Sequence, residues 1–303
     1  MAELLVAGSF AFDTIHTPTV NRELILGGSG SHAAFGASFF APVVAVGVVG
    51  EDWRMADSEM FQAHNIDVSN LELRKGGKTM FWEAVYSEDM NQRETLVFEA
   101  NVMIDFHPVL NDRAKRCPYL FLANNAPSLM MEVIDQCTDA KLIVADTMNF
   151  YIENMLDDLK KLLTKVDGLI LNDSEAVELT GCDDLFDAGD AIRAMGPRFV
   201  IIKKGSHGSL FMGEDGEIVV FPAYPTRKVL EPTGAGDCFA GAFMGYLASQ
   251  DAATLDDIKR AMLYATVSAS LTIEDFSFDA LRRSTRDTID ARYQQMKEML
   301  AVK

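Results

Sequence analysis

The sequence predicts a three-layer α/β/α fold with a mostly parallel central sheet and a small antiparallel sheet projecting from it. Three observations predict this. Short continuous apolar runs recur along the chain, as in strands of a parallel sheet covered by helices on both faces. Helical patterns separate those runs. Residues 71–100 break the rhythm, with polar and apolar positions alternating between polar turns.

The elements follow in order. Leu4 to Ala7 (LLVA) reads as the first core strand, and Ser31 to Phe40, rich in small residues, as a helix. Val43 to Val49 is an unbroken apolar strand, and the 71–100 flap follows it. Tyr119 to Ala123, Leu142 to Asp146, Gly168 to Asn172 and Phe199 to Lys203 are further buried strands. Helical stretches run from Ile152 to Leu163, Ser174 to Leu179 and Leu255 to Ser270. Ser209 to Phe221 is a hairpin turning at Glu214-Asp215-Gly216, because Asp-Gly is a strong turn signal. No repeat, low-complexity tract or long linker interrupts the chain, so one domain spans 1–303, with 71–100 and part of 12–26 as its lid.

Composition narrows the function. Of 303 residues, 49% are hydrophobic and 24% charged, so the chain buries a full core without metal or disulfide staples. Its 27 Lys and Arg stand against 45 Asp and Glu, a net charge of −18, which argues against nucleic acids and anionic membranes as partners. Glu3 stands where a signal peptide carries positive charge, and no apolar run is long enough to span a bilayer. Cys117, Cys137, Cys182 and Cys238 are far apart, as for reduced thiols in a cytoplasm. The histidines form no metal-binding pair, so a metal held by protein ligands alone is not expected.

Three glycine-rich stretches compete for the chemistry. Gly28-Ser29-Gly30-Ser31-His32-Ala33 satisfies the dinucleotide fingerprint, with Glu51 near the ribose-acid position, but only the short run Glu23 to Leu26 precedes it. Gly76-Gly77-Lys78-Thr79 resembles the end of a P-loop, yet Glu72 occupies the position of the required upstream glycine. The third, Glu231-Pro232-Thr233-Gly234-Ala235-Gly236-Asp237, opens a helix of small residues. Glycines there let backbone N–H groups converge on one anion, aided by the helix dipole. A carboxylate just inside that cradle is placed to take a proton from an attacking hydroxyl while the cradle holds a transferring phosphoryl group. A first-turn Asp serving only the helix dipole is the alternative.

Here the chain resembles the ribokinase-like (PfkB) carbohydrate and nucleoside kinases. Pro232 to Asp237 matches that family's C-terminal signature, and Gly27-Gly28-Ser29-Gly30 its N-terminal double-glycine turn. Leu171-Asn172-Asp173-Ser174-Glu175 matches its N-x-x-E element, and Lys204-Gly205 with Gly208 its nucleotide-side turn. The resemblance implies an ATP-dependent kinase acting on a hydroxymethyl group of a small sugar or sugar-like acceptor, with a nucleoside acceptor as the alternative. It implies Asp237 as base, and Gly234, Ala235 and Gly236 as the backbone anion hole. Asn172 and Glu175 would place Mg²⁺, Glu175 through water. Lys204, Gly205, Gly208, Thr233 and Ser268 would face the nucleotide, with at most one of Lys203 and Lys204 reaching it, and Phe276 is a further adenine contact or a core residue.

On the acceptor side the resemblance implies Asp13, Gly27, Gly28, Ser29, His32, Phe81 and Asn124. Phe81, Trp82 and Tyr86 either stack on the acceptor or pack within the lid. The family often carries Asn at His32, commonly Asp at Glu231, and an Arg after its D-x-N element, where Asp146 to Asn149 here lead to Tyr151. Those departures bear on the acceptor and, at Glu231, put potassium activation in doubt. Related kinases often pair through the lid, so a homodimer is expected. The rival classes are a dinucleotide-dependent oxidoreductase built on Gly28 to Ala33 and a non-catalytic sensor; an intact Asp237 speaks against the sensor.

Overall fold

The structure, a computed structural model, describes residues 1–301 except 89, 91 and 228. Positions 89 and 91 of the expected lid, and 302–303 of the expected domain, lie outside the described residues. The strands are β1 (Leu4–Ala7), β2 (Ala11–His16), β3 (Asn21–Gly27), β4 (Val43–Gly50), β5 (Ile66–Arg74), β6 (Met80–Tyr86), β7 (Arg93–Glu99), β8 (Tyr119–Leu122), β9 (Leu142–Asp146), β10 (Gly168–Asn172), β11 (Phe199–Lys203), β12 (Ser209–Met212) and β13 (Ile218–Phe221). The helices are α1 (Ser29–Ser38), α2 (Met55–Ala63), α3 (Asp112–Lys115), α4 (Pro127–Gln136), α5 (Asn149–Asn154), α6 (Leu156–Leu163), α7 (Asp173–Thr180), α8 (Leu185–Ala194), α9 (Ala235–Gln250), α10 (Leu255–Thr272), α11 (Asp279–Arg283) and α12 (Arg286–Leu300).

The main sheet has the order β13-β12-β11-β10-β9-β8-β1-β4-β5. From β11 to β5 its strands are parallel, and β12 and β13 extend one edge antiparallel. Successive side chains of a strand point to opposite faces, so each apolar run feeds two cores. Leu4, Val6, Tyr119, Phe121, Ile170 and Ile201 enter the core under α1, α2, α9, α10 and α12. Leu5, Ala7, Leu120, Leu122, Leu169 and Val200 enter the core under α4, α6, α7 and α8. The expected three layers are therefore present.

The second sheet, β3-β2-β6-β7, is the lid. Its expected extent needs correcting, because Leu71 to Arg74 belong to β5, the edge of the main sheet. An edge strand with one face in water alternates as a lid strand does, so the pattern alone did not separate them. The expected helix from Ile152 to Leu163 breaks at Met155, which leaves helical geometry at φ −137°. The 209–221 hairpin is β12–β13, turned through Asp215 at φ 59° and Gly216 at φ 76°.

α1 and α9 pack with backbones in near contact: a Cβ on Gly241 would stand 1.9 Å from the Ala33 carbonyl oxygen. That closeness brings the two glycine turns, at the starts of α1 and α9, beside each other.

Candidate active site

The C-terminal ends of the parallel strands meet at one edge, the usual site of ligand crevices in open α/β sheets. Asp146 ends β9, Asn172 ends β10 and Lys203 ends β11, while Ser9 and Asn124 lie just past β1 and β8. The start of α9 faces this edge. Gly234 caps it in left-handed geometry, φ 75° and ψ −2°, which glycine adopts without the cost of a side chain. The Ala235 N–H donates to the Pro232 carbonyl at 3.2 Å, and among the described residues the N–H groups of Gly234 and Gly236 have no protein acceptor. Free N–H groups at a helix start, with the dipole behind them, form an anion cradle. Asp237 follows directly in the first turn, and burial raises its pKa while Lys203 and Arg93 pull it back.

Lys203 joins that cradle to the sheet. Its ammonium donates to Asp146 Oδ2 at 3.0 Å, and a Cβ on Gly236 would stand 3.1 Å from its Nζ. Burial opposes the ammonium's charge, but Asp146, Glu175 and Asp237 outweigh it and raise its pKa. Of the two adjacent lysines, Lys203 meets the buried carboxylates. Lys204 lies past the strand, with its N–H on the Gly208 carbonyl at 2.8 Å. Gly205 and Gly208 form the turn that follows, both with positive φ.

Asn172 and Glu175 form a capping box on α7: Asn172 Oδ1 accepts from the Glu175 N–H, and Glu175 Oε2 accepts from the Asn172 N–H, each at 2.8 Å. Glu175 is buried, and burial with Asp146 nearby pushes it up to about 7. Asp146 is pushed up to about 6, chiefly by burial against the pull of Lys203. Among the described residues no group of three His, Cys, Asp or Glu side chains is placed to hold a metal directly.

Asp13 on β2 is buried, and its pKa is raised well above the usual range by burial and by Glu231 and Asp237. A Cβ on Gly27 would collide with its carboxylate, so only glycine leaves room there. Gly28, at φ 94°, donates its N–H to Asp13, which lowers that pKa. The Ser29 hydroxyl lies 3.1 Å from that of Ser9 and donates to the Asn124 carbonyl at 3.0 Å. Asn124 is half-buried, its Nδ2 donates to Met148 Sδ at 3.1 Å, and its Oδ1 is buried without a partner. His32 is buried between the turns, its Nδ1 3.0 Å from the Gly28 carbonyl. It is 2% exposed, and among the described residues its Nε2 is buried without a partner.

The sheet β3-β2-β6-β7 faces this floor. Register pairs Asp13 with Trp82 and Trp82 with Phe98, placing the three on one face. Tyr86 is on that face too, and its hydroxyl lies 2.7 Å from that of Thr233. Phe81, one residue from Trp82, points to the opposite face and packs against the main core. Phe81, expected as an acceptor contact, therefore does not share the face of Asp13, which carries Trp82 and Phe98, the latter 59% exposed. Ser268 is also misplaced by the sequence reading: it is fully buried inside α10. Phe276 packs with Ile15 and Tyr86 in the small core beneath the lid.

Sequence reasoning missed Arg93. It pairs with Tyr86 across β6–β7, its guanidinium lies 5.4 Å from the Trp82 ring centroid, and its charge lowers the pKa of Asp13, Glu175, Glu231 and Asp237. No sequence signal marked it, because one arginine opening a polar strand is ordinary. Glu231 is buried and pushed up to about 7 by burial, although it accepts the Thr233 N–H at 2.5 Å and a backbone bond from Ser277. The Gly28 to Ala33 turn is fed by β3 of the lid and not by a strand of the parallel sheet, which removes the basis of the dinucleotide reading.

Known proteins share this fold. The cytidine kinase of Thermococcus kodakarensis is 27% identical over 255 residues, covering 81% of this chain and 89% of its own. Arabidopsis thaliana ribokinase, solved with ribose and ATP, superposes with a TM-score of 0.78 at 19% identity, covering 97% of this chain and 99% of its own. An E. coli protein solved with ATP and Mg²⁺ does so with a TM-score of 0.80 at 17% identity, covering 97% and 100%. The model of the pfkB family carbohydrate kinases matches residues 3–281. Since that match spans nearly the whole chain, the chain belongs to this family and is a phosphotransferase acting on sugar or nucleoside hydroxyl groups.

Proposed function

We propose that the protein transfers the γ-phosphate of ATP to the hydroxymethyl group of a nucleoside-like acceptor, with Asp237 as base. One observation carries the reading: a carboxylate of raised pKa follows directly on a helix start whose Gly234 and Gly236 N–H groups have no protein acceptor among the described residues. Asp237 would take the hydroxyl proton as the acceptor oxygen bonds to the γ-phosphorus and the β–γ bridging P–O bond breaks, releasing ADP. The N–H groups of Gly234, Ala235 and Gly236 would hold the charge developing on the transferred group. Lid closure would exclude water, which otherwise competes as acceptor.

The buried carboxylates fit a cation. Asp146, Glu175 and Asp237 share one region with Lys203 as their paired cation, and the nucleotide adds further negative charge. Bound Mg²⁺ neutralises phosphate charge, and Asn172 and Glu175 would hold it through water, as the lack of a direct ligand trio suggests. Thr233, Gly205 and Gly208 would border the nucleotide. Glu231 accepts backbone bonds from Thr233 and Ser277, and a monovalent cation is not part of the reading.

Asp13 would bind acceptor hydroxyls beside Gly27, Gly28, Ser29 and Asn124. Trp82 and Phe98, paired on the face that carries Asp13, would give a base beyond the sugar an aromatic surface. The 27% identity to a cytidine kinase supports that acceptor. A cytoplasmic location and a homodimer paired through the exposed edge strand β7 belong to the same reading, the dimer being open to light scattering.

The test is ADP release with Mg-ATP across nucleosides, pentoses, hexoses and inositols. Acceptor-dependent release highest with a nucleoside is expected. Release with free sugars alone would overturn the acceptor class, and none with any acceptor would overturn the reading.

A further inference from the structure

We propose that His32 is a positioning residue that fixes the separation between the acceptor-side turn, Gly27 to Ser29, and the phosphate-side turn, Gly234 to Gly236. The proposal rests on the functional reading above, and wild-type turnover tests that reading separately.

One imidazole touches both turns. On one side its Nδ1 lies 3.0 Å from the Gly28 carbonyl oxygen, which also accepts the His32 N–H at 3.1 Å. A carbonyl can only accept, so Nδ1 carries the proton and Nε2 the lone pair. On the other side the ring edge lies against Gly234: a Cβ there would stand 2.1 Å from His32 Cδ2. The ring has no freedom to leave, because it is 2% exposed and its centroid is 4.6 Å from that of Phe278.

Its chemistry argues against a proton-transfer role. Burial pushes the pKa down to about 4, so the ring is neutral in ordinary buffers. Among the described residues Nε2 is buried without a hydrogen-bond partner. What the site uses is therefore the ring's width on one side and one N–H on the other.

A second connection runs in parallel. The Ser277 hydroxyl donates to the Leu26 carbonyl at 2.6 Å, just before the acceptor turn, and Ser277 also bonds through its backbone to Glu231 before the phosphate turn. His32 and the Ser277–Phe278 segment thus bracket the gap in which an acceptor hydroxyl meets the γ-phosphate. Transfer rates fall steeply when reacting atoms are displaced by about 1 Å, so the phosphate-side half of this arrangement is read in kcat and the acceptor-side half in the acceptor KM.

Two variants divide the role. His32→Phe keeps the ring against Gly234 and removes the hydrogen bond to Gly28. It is expected to raise the acceptor KM about tenfold or more, with kcat within about threefold of wild type. His32→Asn retains a donor for Gly28 and removes the ring from beneath Gly234. It is expected to lower kcat about tenfold or more, with the acceptor KM within about threefold. Each variant tests one half by itself, so loss of either to misfolding, read by circular dichroism, leaves the other decisive. Proportional changes of kcat and KM in the folded variants would indicate general packing and overturn the proposal. Wild-type values in both would overturn it as well.

Discussion

The hydroxyl of Tyr86 on the lid lies 2.7 Å from the hydroxyl of Thr233, the residue directly before the glycine that starts the anion cradle. Residues 147 positions apart are thereby joined where lid and floor meet. On the proposed reading, this polar contact would hold the small sheet over the start of α9.

Removing that contact should loosen the lid without unfolding it. Tyr86→Phe deletes one hydrogen bond worth about 1 kcal/mol. We expect kcat to fall about threefold to tenfold, and ATP hydrolysis without acceptor to rise relative to transfer. Unchanged partition between water and acceptor, measured by ADP release with and without acceptor, would count against a latch.

Arg93 lowers the pKa of Asp237, so its loss should raise it. A base must be deprotonated, and the acid limb of the kcat/KM–pH profile should therefore move to higher pH in Arg93→Gln. On that limb turnover should drop, and well above it the variant should approach wild type. A profile superposable on wild type would show that the arginine's charge does not reach the base.

Burial raises the pKa of Glu231 from 4.5 to about 7. Between those values the folded protein keeps a proton that the unfolded chain has lost, so this group's contribution to stability falls as pH rises through the window. The full contribution is roughly 3 kcal/mol. Thermal melts should show Tm higher at pH 5 than at pH 8, and Glu231→Gln should flatten that slope and raise Tm at pH 8. Turnover should be the same in potassium and in choline buffers.

Gly236 carries no side chain beneath the phosphate position, where a Cβ would stand 3.1 Å from the Lys203 ammonium. Gly236→Val adds two further methyl groups there. It should leave the protein folded, as judged by its Tm, and reduce turnover at least a hundredfold. Near-normal turnover would remove this peptide from the anion hole.

The centre of the main sheet was legible in the sequence because its strands are buried on both faces, whereas the edge strand β5 was not. Leu4–Ala7, Leu142–Asp146, Gly168–Asn172 and Phe199–Lys203 have the bounds their apolar runs suggested. α12 was missed because Arg286 to Leu300 is mostly polar, with Ile289, Tyr293 and Met296 alone reaching the core. The glycine turns were legible because glycine at φ 94° and φ 75° is a backbone requirement written directly in the sequence. Side-chain direction was not. Phe81 and Trp82, or Lys203 and Lys204, are neighbours in the chain, and only the register of the folded sheet decides which member of each pair enters the site. Arg93 depends on a β7 pairing that no local pattern encodes.

The most direct test of Asp237 as base is kcat for acceptor-dependent ADP release by wild type and Asp237→Asn at saturating Mg-ATP and acceptor. Asparagine keeps the shape and cannot take the proton. A loss of about 10²–10⁴-fold, with the Tm unchanged or higher, is the predicted result. A variant retaining more than about a tenth of wild-type turnover would contradict it, since a positioned base contributes at least about a hundredfold.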